Sequence, residues 1–502
     1  MKYIISIDQG TTSSRAILFD EKCNIINIKQ MEISLNYPKS GWVEQNADEI
    51  WKSVYEILKE IIYDSGVDPL DIKSIGITNQ RETTILWDKN TGKPVCPAIV
   101  WQSRQSQYIC DDLIVRGLQE KIKNKTGLII NPYFSASKIK FIFDKNPNIL
   151  DSAKKGEILF GTVDTYLLWK LTEGKVHATD YSNASRTMLF NINDLSWDDE
   201  LLEIFEVPKV MLPVVKESSV IYGYASALSK ITNGYEIPIA SLIGDQQSSL
   251  FGQCCFNEGD IKNTYGTGCF MLMNTKDRIV NSDNGLLTTI AWKINDKVEY
   301  ALEGSVFVGG SAVQWLRDGL RIIEKSNEVE KASDVVKGSN GVYFVPAFVG
   351  LGTPYWDNDV RGTTFGLTRG TKREHFINAV VESIAYQSKD VMEVMISDSG
   401  TEIHNLAVDG GASTNDYLMQ FQADILNCCI TRPKVFETTA KGAAFLAGLA
   451  VGIWNNLEEL SKIQNVERLF MPHINEEERV KLYNGWKKAV YATRCFKVEE
   501  VE

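Results

Sequence analysis

A chain of 502 residues exceeds one ordinary hydrophobic core and predicts two or three domains. Its hydrophobic fraction of 44% and charged fraction of 24% are those of a globular protein, and a net charge of -12 with both signs mixed along the chain argues against a nucleic-acid binder that works through a basic surface. The nine cysteines, at positions 23, 96, 110, 254, 255, 269, 428, 429 and 495, form no CxxC pair, which disfavours a zinc or redox framework and fits reduced thiols in a cytoplasm. The N-terminus shows no charged segment followed by a long apolar one, so no signal peptide is expected. The longest uncharged small-and-apolar run, residues 442–454, is too short to span a membrane and predicts a buried helix.

Two short apolar runs, residues 3–7 and 16–19, flank the stretch Asp8-Gln9-Gly10-Thr11-Thr12-Ser13-Ser14-Arg15. Both runs are rich in β-branched or aromatic residues and read as strands, so the link is a hairpin tip. Such a tip brings backbone N–H groups and three or four hydroxyls to a phosphate. Gly10 permits close approach because it has no Cβ. Asp8, at the end of the strand, suits Mg²⁺, and Arg15 suits a two-pronged phosphate contact. Alone, the stretch fits an ordinary polar hairpin equally well.

A third strand is expected over residues 25–33. Asn46 then has the spacing of a helix cap with Glu49 as its reciprocal partner, and Ile50, Val54, Ile57, Leu58 and Ile61 follow at helical spacing. A strand over 72–78 leads into the loop Asn79-Gln80-Arg81-Glu82-Thr83. Strand, strand, strand, helix, strand is a mixed α/β order.

Further on, the apolar run 237–243 ends in Gly244-Asp245-Gln246-Gln247. Asp245 at a strand end suits either the acceptance of a proton from an attacking hydroxyl or a helix N-cap. Residues 263–273 repeat the opening pattern of strand, Gly266-Thr267-Gly268 turn and strand. A lobe boundary is expected near residues 252–259. A long helix is predicted from His375 to about Met395, with Phe376, Val380, Ile384 and Val391 on one side. A strand over 406–408 then enters Asp409-Gly410-Gly411-Ala412-Ser413-Thr414-Asn415.

Two phosphate hairpins in two halves, followed by a Gly-Gly loop, resemble the actin-like ATPase fold. Within it, the chain resembles the FGGY carbohydrate kinases over essentially its whole length. The specific stretches are Asp8 to Arg15, Gly76-Ile77-Thr78-Asn79-Gln80-Arg81-Glu82-Thr83-Thr84, Ala98-Ile99-Val100-Trp101-Gln102, Gly161-Thr162-Val163-Asp164-Thr165, Asn183-Ala184-Ser185-Arg186-Thr187-Met188, Gly244 to Gln247, Tyr265 to Met273 and Gly366-Leu367-Thr368-Arg369-Gly370. The resemblance implies an α/β chain of two actin-like (ribonuclease H-like) lobes, each a mixed sheet flanked by helices, with a central nucleotide cleft. Residues 1–252 would form the glycerol- and phosphate-binding lobe, and residues 253–502 the nucleotide-binding lobe.

The implied activity is the ATP-dependent phosphorylation of glycerol to sn-glycerol 3-phosphate with Mg²⁺, in glycerol catabolism. By the same resemblance, Thr11, Thr12, Ser13 and Arg15 contact the nucleotide phosphates, and Thr267, Gly310, Gln314, Gly411 and Asn415 bind the rest of the nucleotide. Arg81, Glu82, Tyr133, Asp245 and Gln246 hold glycerol, Trp101 and Phe270 line its carbon backbone, Asp245 is the catalytic base, and Asp8 and Asp245 hold the metal. A cytoplasmic homodimer or homotetramer is expected, with glycerol and ATP as partners and neither nucleic acid nor a membrane span.

These assignments make chemical sense. Glycerol has three hydroxyls and little apolar surface, so its site must pair those hydroxyls. Arg81 donates and Glu82 accepts, so the adjacent pair can fix two of them; seen alone, the same pair reads as a surface ion pair of little worth. Trp101 and Phe270 alone would read as core, and Thr267 as a tight turn.

Two departures from the family pattern stand out. Members usually carry a tryptophan soon after the Tyr-Phe-Ser stretch, where this chain has Phe141, and only a packing change is expected from that. Where some bacterial members have a Gly-Thr-Arg loop for an inhibitory sugar bisphosphate, this chain reads Gly234-Tyr235-Glu236, and no histidine precedes it between residues 225 and 234, so both controls are expected to be absent. The competing readings are a kinase for another polyol or a pentulose, and a non-catalytic ATP-binding assembly or regulatory protein on the same fold. Arg81, Glu82 and Trp101 favour glycerol over the first. Asp8 and Asp245 together with the polyol-site residues argue against the second.

Overall fold

The computed structural model describes residues 1–357 and 359–496. Its first sheet is built from β1 (Tyr3–Gln9), β2 (Ser13–Asp20) and β3 (Ile25–Glu32), followed after helix α1 (Ala47–Asp64) by β4 (Ile72–Asn79), β5 (Ser219–Tyr224) and β6 (Pro238–Gly244), in the order β5-β6-β4-β1-β2-β3. β1 is antiparallel to β2 and parallel to β4, and β4 is parallel to β6. The apolar runs seen in the sequence are central strands covered on both faces: Ile4, Ile5, Ile7, Ile75 and Ile77 are all fully buried. The stripe Ile50, Val54, Ile57, Leu58 and Ile61 of α1 is likewise fully buried, packed over β2 and β3.

Helix α2 (Asp245–Gly252) leaves the first sheet. The second sheet then begins with β7 (Ile261–Tyr265), β8 (Cys269–Lys276), β9 (Leu287–Ile294) and β10 (Lys297–Val306). After helix α3 (Arg373–Ser399) come β11 (Asn405–Asp409), helix α4 (Asp416–Leu426), β12 (Cys429–Pro433), helix α5 (Thr438–Ala450) and β13 (Val466–Phe470). The strand order is β9-β10-β8-β7-β11-β12-β13. β7 pairs with β8 antiparallel and with β11 parallel, so the second lobe repeats the scheme of β1 with β2 and β4. The long helix predicted from His375 extends two residues earlier and about four later, and its Val380, Ile384 and Val391 are buried as expected.

The lobes meet on backbone-to-backbone contacts. α5, from the second half of the chain, lies on the first sheet and against α2. A Cβ on Gly442 would sit 1.9 Å from the Ser248 carbonyl oxygen, and one on Gly252 would sit 2.0 Å from that of Thr438. Only glycine allows this approach. An apolar cluster spans the same junction, joining Ile4, Ile17 and Phe19 of the first sheet to Leu272, Trp292 and Ala301 of the second through Ala443, Ala444 and Phe445. Of the run 442–454 expected as one buried helix, residues 442–450 belong to α5 and are largely buried, whereas residues 451–454 lie past its end; among the described residues no helix is long and apolar enough to cross a membrane.

One local expectation is corrected. Asn46 does cap α1, accepting from the Asp48 N–H at 2.9 Å, but Glu49 does not fold back to complete a capping box. Its carboxylate accepts from the Ser34 N–H at 3.0 Å, because the chain leaving β3 passes beside the helix start and offers a donor there. Phe141 packs edge-on against Trp42 with ring centroids 5.4 Å apart.

Candidate active site

The tip between β1 and β2 is Gly10-Thr11-Thr12, closed by a hydrogen bond from the Gly10 N–H to the Ser13 carbonyl at 2.9 Å. Ser13 and Arg15 lie on β2 rather than in the loop. Thr12 is exposed. Gln45 Nε2 donates to the Thr11 carbonyl at 2.6 Å, and Trp101 Nε1 donates to Thr11 Oγ1 at 2.9 Å. Ser14 does not belong to the tip: it is buried beneath the strand and bonded to Ser53 Oγ at 2.8 Å, because strand alternation turns it toward α1. Arg15 pairs with Glu437 of the second lobe and reaches Gln30 Oε1 at 3.0 and 3.2 Å.

Asp8 is half-buried between the buried Ile7 and Gln9, one residue before the end of β1, and its carboxyl feels the charge of Asp245, the first residue of α2. Burial and the neighbouring Asp245 carboxylate push the Asp8 carboxyl up to about 7. Gly244 takes the cap position that the sequence offered to Asp245, and its lack of a side chain is required, since a Cβ there would sit 2.8 Å from Arg81 Cδ and Cγ. Asp245 Oδ1 accepts from the Gln246 N–H at 2.7 Å and faces Arg81 Nε at 3.2 Å; burial outweighs both and raises its carboxyl above the usual range. Asp8 and Asp245 are near enough for one carboxylate to raise the other, and a pair of carboxylates suits Mg²⁺, which takes one or two carboxylates from a protein and completes its shell with phosphate and water.

Arg81 and Glu82 are buried on the loop after β4. Their burial excludes the surface ion pair that the two residues suggest when seen alone, and the contact between them, at 3.8 Å, is the longest of their ion pairs. Arg81 instead grips Glu303 of β10, Nη1 to Oε2 at 2.5 Å and Nη2 to Oε1 at 3.0 Å, and also donates to Gln247 Oε1 at 3.1 Å and Tyr133 Oη at 3.4 Å. Glu82 Oε1 accepts from Arg186 Nε at 2.6 Å, and Arg186 Nη2 donates to Glu303 Oε1 at 2.9 Å. Burial alone would raise the Glu303 carboxyl, but Arg186 and Arg81 overcome it and hold the group at about 2. For Glu82 burial wins, and its carboxyl is raised despite Arg81 and Arg186.

Glu82 has left-handed backbone geometry, φ +59°, and its carbonyl accepts from Ser135 Oγ at 3.1 Å and from the fully buried Lys138 at 3.4 Å. Burial pushes the Lys138 ammonium down to about 7. Trp101 stands edge-on to Tyr133 and Phe270, at 5.5 and 6.3 Å, so the three rings form one wall. Gln246 Oε1 accepts at 2.5 Å from Lys262 of β7, whose ammonium burial pushes down to about 8.

A cavity of about 530 Å³ opens in the second lobe between the β7–β8 turn, residues 310–314 and the loop after β11. Thr267, Gly310, Gln314, Gly411 and Asn415 all line it, with Val313, Ile384 and Leu418 as an apolar floor. The Thr267 carbonyl accepts from the Gly309 N–H at 2.8 Å and the Ser311 N–H at 3.1 Å, which fixes the turn against the helix start. Gly410, at φ +85°, passes close under the Tyr265 backbone, where a Cβ would meet the carbonyl oxygen at 2.5 Å.

Sequence reasoning did not reach Glu303, the roles of Arg186 and Lys138, or Lys262. Glu303, between Leu302 and Gly304-Ser305-Val306, was detectable as a charge inside an apolar and small-residue run, which requires a buried partner, whereas the sequence around Lys262 carries no such signal.

The chain matches the family model "FGGY family of carbohydrate kinases, N-terminal domain" over residues 3–252 and the corresponding C-terminal domain model over residues 261–451. It is 56% identical to a glycerol kinase of Staphylococcus haemolyticus over 499 residues, covering 99% of this chain and 100% of that one. It is 58% identical to a glycerol kinase of Brevibacillus brevis, with 99% of each chain covered. A crystal structure of Plasmodium falciparum glycerol kinase with ADP superposes with a TM-score of 0.92 at 39% identity, covering 98% of both chains. A ligand-bound xylulose kinase from Lactobacillus acidophilus shares the fold, with a TM-score of 0.90 at 23% identity over 99% of both chains.

Proposed function

The chain belongs to the FGGY family of carbohydrate kinases, and from that premise we infer that it transfers a phosphoryl group from ATP to glycerol, releasing ADP and sn-glycerol 3-phosphate. The observation that carries the choice of substrate is the convergence of Arg81, Glu82, Tyr133 and Asp245 in one polar cluster beneath the Trp101–Phe270 wall. A small polyol needs paired hydroxyls and a thin apolar face, and this cluster offers both.

In this reading Arg81 donates to, and Glu82 accepts from, glycerol hydroxyls, with Tyr133 and Gln246 completing the set. Asp245 takes the proton of the attacking hydroxyl, a role favoured by its raised carboxyl. Thr11, Thr12, Ser13 and Arg15 receive the phosphates, and Thr267, Gly310, Gln314, Gly411 and Asn415 the remainder of the nucleotide. Asp8 and Asp245 would hold Mg²⁺, and a metal bound there would supply charge neutralisation of the transferring phosphoryl group. We place the lobe boundary at 252/253 and the enzyme in the cytoplasm as a homodimer or homotetramer, acting in glycerol catabolism.

A coupled assay of ADP release tests the reading, with glycerol against xylulose and ribulose. Glycerol should be strongly preferred. Turnover of a pentulose at a kcat/KM equal to or above that of glycerol would refute it.

A further inference from the structure

At the junction of the lobes, Arg81, Glu303, Arg186 and Glu82 close into a ring of buried charges, each side chain no more than 2% exposed. Three members come from the first half of the chain, and Glu303 comes from β10 of the second sheet. We propose that Glu303 and Arg186 are positioning residues for glycerol: Glu303 sets the plane of the Arg81 guanidinium, and Arg186 sets the rotamer of Glu82, so that each presents its free edge to a substrate hydroxyl. The inference rests on the reading of this cluster as the glycerol site.

Three observations carry it. First, Glu303 takes both terminal nitrogens of Arg81, at 2.5 and 3.0 Å, which fixes a planar group in orientation as well as place. That orientation is the one that aims Nε at Asp245, 3.2 Å away. Second, both contacts to the Glu82 carboxylate fall on Oε1, from Arg186 at 2.6 Å and Arg81 at 3.8 Å, which leaves Oε2 to accept from substrate. Third, Arg186 is fully buried, with its guanidinium against the Tyr133 and Phe134 rings at 5.6 and 5.3 Å, yet its Nη1 has no hydrogen-bond partner among the described residues. A purely structural ion pair would be expected to satisfy its donors, because a stranded buried donor costs stability. Here Nε and Nη2 are kept on Glu82 and Glu303 at that expense. Charge balance completes the argument. Two guanidinium groups lie beside two carboxylates, and without the Glu303 charge both cations would draw on Glu82 and pull its free oxygen out of the site.

Glu303→Gln tests the proposal, since it keeps the shape and one acceptor while removing the charge. The native enzyme is assayed first; if it fails to phosphorylate glycerol, the functional reading itself falls, whatever the variant does. With that activity in hand, the variant should raise KM for glycerol by about tenfold or more, the worth of one charge-assisted hydrogen bond, while KM for ATP stays within about twofold. Misfolding would lower the active fraction and leave both KM values in place, so the split between them reads positioning rather than stability. An unchanged KM for glycerol, or a parallel rise in both, overturns the proposal. If the Gln variant does not fold, Glu303→Asp, which keeps the charge but shortens its reach, is read by the same split: a selective rise for glycerol supports positioning, and no rise or a parallel one overturns it.

Discussion

Replacing Asp245 by asparagine should separate chemistry from binding. The substitution keeps the shape of the side chain and keeps Oδ1, which accepts from the Gln246 N–H at 2.7 Å and faces Arg81 Nε at 3.2 Å. Arg81 does not depend on Asp245 for its place, because Glu303 holds it at 2.5 and 3.0 Å and Gln247 at 3.1 Å. The fold and the glycerol contacts of Arg81 and Glu82 should therefore survive. What disappears is the carboxylate proposed to take the proton of the attacking hydroxyl and, with Asp8, to hold Mg²⁺. Loss of a positioned general base costs ~10²–10⁴ in rate, or about 3–5 kcal/mol of transition-state stabilisation. The assay is ADP release coupled to a spectrophotometric readout, run beside calorimetric titration of glycerol. Turnover should collapse while glycerol still binds within about tenfold of native affinity. A kcat within about tenfold of the native value would refute the assignment of Asp245 as base, since a spectator carboxylate would leave the rate near native.

Three further outcomes are expected. Gly442→Ala puts a Cβ 1.9 Å from the Ser248 carbonyl oxygen and should destabilise the lobe junction by about 2–3 kcal/mol in denaturant unfolding, whereas Gly370→Ala, with nothing nearer than 3.7 Å, should be near neutral. His177, its Nε2 2.8 Å from the Phe160 carbonyl, is pushed by burial down to about 4. Below its ordinary value of 6.5 the unfolded chain takes a proton that the folded chain refuses, so stability should fall as pH drops from 6.5 to 4, by about 1–2 kcal/mol at pH 5. His177→Gln, measured by unfolding across that range, should remove this part of the slope; an identical pH dependence would count against it. The hairpin tip at Thr11 and the cavity at Thr267 and Gly411 belong to different lobes, so ATP and glycerol together should draw the lobes closer. Small-angle scattering should show a radius of gyration that falls with glycerol plus a non-hydrolysable ATP analogue, and an unchanged radius with binding confirmed would exclude such closure.

The parts of this fold that sequence makes legible are those written in local pattern. Ile4, Ile5 and Ile7 announce a central strand, Ile50 to Ile61 an amphipathic helix, and Gly266-Thr267-Gly268 a tight turn, because each depends on neighbours in the chain. The wrong expectation for Glu49 marks the limit of that logic: the capping pattern is local, but the donor that captured it, the Ser34 N–H, is fifteen residues away. Glu303 lies 222 residues from Arg81, and nothing near either residue specifies the other. What the sequence does carry is a glutamate in the run Tyr300 to Val306, every residue of which is buried. A charge there demands a partner, so the existence of a buried counter-charge could be inferred, but not its identity.

The two ends of the cleft are prepared in opposite ways, and the difference follows from what each receives. Glycerol is neutral, so a site for it gains nothing from net charge and needs donors and acceptors fixed in direction. Arg81 and Arg186 against Glu82 and Glu303 supply that: the charges cancel, every carboxylate is held by a guanidinium, and the Glu303 carboxyl at about 2 stays ionised through the physiological range. At the phosphate end the balance is reversed. Asp8 has no side-chain hydrogen-bond partner among the described residues, it is pushed up to about 7 by burial and by Asp245, and Arg15 spends its charge on Glu437. Two carboxylates in that condition repel each other, and in the proposed reaction Mg²⁺ arriving with the nucleotide would relieve that repulsion. Asp245 stands where the two regimes meet: Arg81 lies 3.2 Å away, yet burial outweighs that contact and keeps the Asp245 carboxyl raised, so in the proposed reaction it is able to accept the proton of a glycerol hydroxyl.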